Sequence, residues 1–186
     1  MKLLFHCCCA PCALSCVGAL REEGKEPELF WYNPNIHPYT EYASRRNAMA
    51  EFAAAENLKL ESIDEYGLVP FIRAVFPVME NGRCTTCYRM RLEKTALFAA
   101  ENNFGSFSTS LLISPYQDHG AIKAAGEEAA AKYGVDFLYR DFRSLFRDSR
   151  TKARSLGLYM QKYCGCIFSE EERYLKPPKK QGPDER

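Results

Sequence analysis

Nine cysteines stand in this chain of 186 residues, and eight of them come in close groups: Cys7, Cys8, Cys9 and Cys12 in HCCCAPC, Cys84 and Cys87 in RCTTCY, and Cys164 and Cys166 in YCGC. Cys16 stands alone. One C-x-x-C pair is compatible with a redox dithiol or with half a zinc site, whereas several cysteine groups at loop or helix starts suit a shared metal centre. Four thiolates such as Cys9, Cys12, Cys84 and Cys87 satisfy one structural zinc, which leaves Cys8 and YCGC without a task. Thiolates beyond four suggest an iron–sulfur cluster together with a second metal, because soft sulfur ligands favour iron and zinc. Adjacent residues of an extended chain point to opposite faces, so Cys8 and Cys9 are expected to serve different metals unless the backbone turns there. Cys7, on an apolar strand, and Cys16, on the core side of the first helix, are expected to be packing residues. The radical-enzyme spacing C-x-x-x-C-x-x-C does not occur.

Other polar residues fall where the chain leaves predicted strands. His37 follows YNPNI, and Tyr116, Gln117, Asp118 and His119 form YQDH, positions that suit proton donors or substrate contacts. Asp141 and Arg143 in DFR are read as substrate contacts or, equally, as an ion pair steadying a loop. Arg45 with Arg46, Arg89 with Arg91 and Lys94, and the series Arg143, Arg147, Arg150, Lys152 and Arg154 offer phosphate contacts, although charged helix faces are commonly just solvated. Tyr39, Tyr88 and Tyr116 offer base-stacking surfaces in a chain where aromatic residues are common throughout.

Behind these residues lies an ordinary globular composition. The chain is 46% hydrophobic and 26% charged with a formal net charge of +1, so any attraction for nucleic acid must come from a local patch rather than from bulk charge. Nothing approaches a membrane-spanning apolar run, and MKLLF followed by ALSC fails as a lipoprotein signal because His6, the cysteines and Pro11 break it. A cytoplasmic protein with reduced thiols is expected, and the odd cysteine count agrees.

The elements that must position these residues alternate. Strands are expected over Lys2–Cys9, ELFWYNPNI, LKLES, FSTSLLI and VDFLY. Helices are expected at about Ala13–Glu22, Tyr39–Asn57, Thr85–Asn102, Gly120–Tyr133 and Ser149–Tyr163, with an irregular stretch at Tyr66–Arg83 that holds a short helix or an insertion. This order implies an α/β fold, a parallel sheet of five strands with helices on both faces and a ligand site at the carboxyl ends of the strands. Residues 1–174 read as one catalytic domain, and 175–186, rich in Pro and Lys, as a disordered tail.

Six segments, LLFHCCCAPC, FWYNPNIHPYTEYASRR, GRCTTCYRMRLEKTA, FSTSLLISPYQDHGAIKAAGEEAA, VDFLYRDFR and GLYMQKYCGCIFSEEER, resemble the QueH-type epoxyqueuosine reductases. That resemblance implies reduction of the epoxide of epoxyqueuosine to the alkene of queuosine at the wobble position of a tRNA anticodon loop, with electrons from a donor the sequence does not name. It implies a fold like the ATP-pyrophosphatase (adenine nucleotide alpha hydrolase-like) type. It also implies a 4Fe-4S cluster beside an adjacent second metal, expected to be iron. The family's thiolate ligands map onto Cys8, Cys9, Cys12, Cys84, Cys87, Cys164 and Cys166; some relatives carry an aspartate where this chain has Cys12. The competing readings are an iron–sulfur tRNA thiolation enzyme of related fold, which requires an S-G-G-x-D-S phosphate loop where CCCAPC stands, and a zinc-stabilised binding module.

Overall fold

The computed structural model describes residues 2–175; the tail reading therefore lies, from residue 176 on, outside the described residues. At the centre is β1 (Leu3–His6), whose four residues LLFH are all buried. A strand covered on both faces reads as a continuous apolar run rather than an alternating one, and MKLLF is such a run. Strand β1 pairs in parallel with β2 (Pro27–Trp31) on one side and with β4 (Ser106–Thr109) on the other, Phe5 lying opposite both Leu29 and Ser108. Short edge strands, β3 (Leu60–Ser62) and β5 (Asp136–Phe137), complete an all-parallel sheet of order β3-β2-β1-β4-β5.

Helix α1 (Ala10–Glu22) packs against α2 (Tyr39–Ala55) and α6 (Phe146–Ser155), while α4 (Arg83–Glu101) and α5 (His119–Tyr133) pack on each other over the opposite face. The chain runs from β1 outward to β2 and β3, then returns to β4 on the other side of β1. Such a reversal opens a crevice at the carboxyl ends of the two strands that flank it. The parallel α/β architecture with helices on both faces is the one expected. No helix among the described residues is long and apolar enough to cross a membrane.

Several boundaries differ from expectation. The first strand ends at His6 rather than Cys9, and α1 begins at Ala10 rather than Ala13, because Pro11 in the first turn has a preset φ and lacks an N–H that would be unpaired there anyway. FSTSLLI divides into β4 and a 3-10 turn over Ser110–Ile113, whose start the Thr109 hydroxyl caps by accepting from the Leu111 N–H. VDFLY pairs only over Asp136–Phe137, and a short edge limits unwanted pairing with other chains. The irregular stretch holds α3 (Leu68–Val75) and a 3-10 turn, Phe76–Val78. Helix α6 ends at Ser155 rather than Tyr163, since Gly157 (φ 68°) takes the left-handed conformation that closes a helix. An irregular run then leads to α7 (Ile167–Tyr174).

Candidate metal centre

At the end of β1 the chain turns from strand to helix within three residues. The Cys7 N–H still bonds the Phe30 carbonyl at 2.8 Å, and its buried thiol donates to the Phe5 carbonyl at 3.3 Å. Cys8 then points across to β4: its N–H donates to the Ser110 hydroxyl at 3.0 Å, and that hydroxyl donates to Cys8 Sγ at 3.4 Å. Cys9 is the N-cap of α1, and its carbonyl accepts the first helical bond from the Ala13 N–H. The backbone thus turns at the place where an extended chain would have pointed Cys8 and Cys9 apart, and their sulfurs are 3.8 Å from each other. With Cys12, one turn into the helix, the three sulfurs lie within 4.8 Å of one another. The Gln161 side-chain amide, from the run after α6, donates to Cys9 Sγ at 2.9 Å and Cys12 Sγ at 3.4 Å. Cys16 lies fully buried in the main core.

The remaining grouped cysteines come from two other elements. Helix α4 carries Cys84, Cys87 and Arg91 at i, i+3 and i+7, one stripe of the helix. YCGC is held from below by Arg45, which is buried, paired with Glu41 at 2.6 Å, and donates to the carbonyls of Cys164 and Tyr163 at 2.9 Å each. The Gly165 carbonyl accepts from the His37 N–H, and the Tyr163 hydroxyl donates to the His37 carbonyl. Cys166 caps α7, its sulfur accepting from the Ser169 N–H, and shares a small apolar cluster with Cys87, Phe71 and Val75. Cys84 and Cys164 are exposed.

Arg91 lies between the two sets. It is 1% exposed, donates from Nη2 to Asn33 Oδ1 at 2.8 Å, and has no hydrogen-bond partner at Nε among the described residues. Burial opposes its charge, but the facing sulfurs of Cys87, Cys8 and Cys164 outweigh that and raise its pKa. Within the trio one thiolate is favoured: hydrogen bonds from Cys12 and Cys9, with help from Arg91, hold Cys8 well below the ordinary thiol range. Burial pushes Cys9 up, and the hydrogen bond to Cys8 pushes Cys12 up. Burial also raises Cys87 to about 12. His6 is held neutral, lowered to about 3 by burial and then by Arg91; its Nε2–H donates to the Tyr32 carbonyl and Nδ1 accepts from Thr109.

A cleft of about 680 Å³ opens over Cys8, Cys12 and Cys164 at the crevice between β1 and β4. Tyr116, 84% exposed, stands at its wall beside Gln117, whose amide donates to Cys164 Sγ at 3.5 Å. Five other sequence-predicted residues, His37, Asp118, His119, Asp141 and Arg143, do not line it. Asp118 caps α5 by accepting from the Ala121 N–H, and Asp141 and Arg143 form an exposed ion pair at 2.6 Å, the loop-steadying alternative. His37 is buried. Ser110 and Gln161 on the sulfurs, and Arg91 and Arg45 as buried cations, escaped the sequence reading in these roles; the Cys84–Cys87–Arg91 helical stripe was the one local signal for any of them. Three converging, buried sulfurs supplied with N–H and O–H donors are a donor set that fits a soft metal.

A model of the family described as Epoxyqueuosine reductase QueH matches residues 3–172. Relatives carrying that description include one from Dehalococcoides mccartyi, 41% identical over 95% of this chain and 96% of its own. Another, from Thermotoga maritima, is 36% identical over 94% of this chain and 93% of its own. Among solved structures, a predicted subunit of tRNA methyltransferase from Methanocaldococcus jannaschii superposes with a TM-score of 0.52 at 13% identity, covering 82% of this chain and 74% of that one, a likeness of fold.

Proposed function

The chain belongs to the epoxyqueuosine reductase QueH family, and from that membership we propose that it reduces the epoxide of epoxyqueuosine in a tRNA anticodon loop to the alkene of queuosine, in the cytoplasm. The observation that carries this is the buried trio Cys8, Cys9 and Cys12, of which Cys8 and Cys12 open, with Cys164, onto one cleft at the switch point of the sheet. Removing an epoxide oxygen breaks both of its C–O bonds, consumes two electrons and two protons, and releases water. A 4Fe-4S cluster with an adjacent iron, held by Cys8, Cys9, Cys12, Cys84, Cys87, Cys164 and Cys166, would supply electrons singly and a Lewis acid for the departing oxygen.

The chain's own residues prepare that site. Ser110 fixes Cys8, Gln161 orients Cys9 and Cys12, and Gln117 orients Cys164. Arg91 supplies positive charge to a centre rich in thiolates. Tyr116 touches the substrate from the cleft wall. Asp118 and the Asp141–Arg143 pair act at one remove, through the loops they steady. A nucleotide-dependent thiolation is disfavoured by the first turn of α1, where Pro11 removes one of the N–H donors a phosphate would use.

The test is anaerobic incubation of the metal-loaded protein with dithionite and epoxyqueuosine-bearing tRNA, followed by nuclease digestion and mass analysis. A nucleoside lighter by one oxygen atom is expected, without ATP. Unchanged epoxyqueuosine at full iron content, or turnover only with ATP, overturns the reading.

A further inference from the structure

The basic residues of this chain divide into two populations. Arg46, Arg89 and Arg143 are tied to Asp64, Glu128 and Asp141, and Arg45 and Arg91 are buried. Arg150, Arg154, Lys162 and Arg173 differ: like Arg73, Lys94, Arg147 and Lys152 they form no ion pair among the described residues, and of those eight they are the four that line the cleft. They come from three elements, Arg150 and Arg154 one turn apart on α6, Lys162 from the run after it, and Arg173 from α7. Among the described residues no aspartate or glutamate lines the cleft. In a chain whose net charge is only +1, this is a local concentration of unneutralised cations around one opening. Beside them Tyr116 stands edge-on to Phe146 at 5.8 Å, and the Arg150 guanidinium lies over the other partner of that pair, 5.7 Å from the Phe146 ring centre.

We propose that this cationic rim grips the backbone phosphates on either side of a single everted nucleotide, with Tyr116 stacking on a neighbouring base of the RNA loop. The inference rests on the RNA-directed reading above and names the surface it needs. The cleft, about 680 Å³, has the size of a small-ligand pocket, so a nucleoside enters it while the folded loop stays outside. Loop nucleotides are already partly unstacked, and turning one out costs less there than from a duplex. Its flanking phosphates then stay at the mouth, where the unpaired cations are. An exposed tyrosine backed by an aromatic ring and a guanidinium is a rigid, sequence-tolerant stacking platform.

The experiment is equilibrium binding of the metal-loaded protein to an unmodified anticodon stem-loop RNA, read by fluorescence anisotropy across a potassium chloride series. For a single-stranded contact, each phosphate neutralised adds about 0.7 to the fall of log K with log salt. R150Q/R154Q together should therefore flatten that slope by roughly 1.4, and K162Q and R173Q by about 0.7 each. R89Q, which removes a cation already paired with Glu128, should leave it unchanged. Y116A should weaken binding by roughly tenfold at every salt concentration with the slope intact, because stacking releases no counterions. A duplex RNA of equal length should bind more weakly than the stem-loop.

Iron content and far-UV circular dichroism accompany each variant, and if the double variant fails to load iron, R154Q, on the exposed face of α6, carries the measurement. An unchanged slope in R154Q at wild-type iron content overturns the rim. Equal affinity for duplex and stem-loop overturns the everted nucleotide. If the wild-type protein binds with the expected slope yet leaves epoxyqueuosine unreduced, the reaction assigned above fails while the rim stands; turnover with unaltered slopes in every variant does the reverse.

Discussion

Arg91 joins the two cysteine sets through charge rather than through a direct bridge. A buried guanidinium without a carboxylate is costly, and the groups that favour its charge are the facing sulfurs of Cys87, Cys8 and Cys164, of which Cys8 is the one held as a thiolate. Replacing it removes a positive charge that favours the more negative, reduced form of any iron–sulfur centre bound there. Arg91→Met should accordingly move the reduction potential to more negative values and lower the iron bound per chain, whereas Arg91→Lys, which keeps the charge, should stay close to wild type. A redox titration followed by electron paramagnetic resonance reads this, and identical potentials in all three proteins would show that the charge is not felt. Cys16→Ala is the contrasting case. Its thiol lies in the core and burial pushes its pKa well up, so the change should cost about 1 kcal/mol of packing and leave the iron content intact.

Among the elements, the irregular run from Leu156 to Cys166 matters most, because it carries Gln161, Cys164 and Cys166 with no regular secondary structure to hold them. Its shape depends on Gly165, whose φ of 134° lies in a region that side-chain-bearing residues rarely adopt. A Cβ there would also come within 3.2 Å of both Arg45 Nη1 and Ile36 Cγ1. Gly165→Ala should cost about 1–3 kcal/mol through local strain and displace the sulfurs on either side. Iron content is expected to fall more than the melting temperature suggests, since the strain is concentrated at the site. Wild-type iron loading in that variant would mean the run finds its place by other means. Gly126 on α5 offers the matching test away from the site: a Cβ there meets the Phe137 ring at 2.4 Å, so Gly126→Ala should lower stability and spare iron loading.

Over the whole molecule, stability should depend on acidity through its buried histidines. His37 packs against the rings of Tyr66 and Phe71, has no hydrogen-bond partner at either ring nitrogen among the described residues, and is lowered by burial from 6.5 to about 4. The unfolded chain takes up a proton below pH 6.5 that the native state refuses, so this contribution is fully present above pH 6.5 and is lost as the pH falls toward about 4. The loss across that window is about 3 kcal/mol for His37, with His6 acting in the same sense. Urea unfolding at pH 7 and pH 5 should show the decline, and His37→Phe should shrink it; an undiminished decline in that variant would place the acid sensitivity elsewhere.

Much of this molecule is encoded locally. The alternation of apolar runs with helical stretches determined the parallel α/β architecture, Gly and Pro marked the turns, and the grouped cysteines announced a metal-binding surface, because residue type and short spacing suffice for each. Only the tertiary structure decided how those pieces act together. Cys8 and Cys9 face one another because the strand turns into a helix between them, and their partners Ser110 and Gln161 lie 102 and 152 residues further along the chain. The same holds for the cations: Arg89 and Arg150 look alike in sequence, yet one faces Glu128 and the other a cleft that no acidic side chain lines among the described residues. Whether a charge is paired, buried or free is set by neighbours remote along the chain, and no periodicity within a helix or strand carries that information.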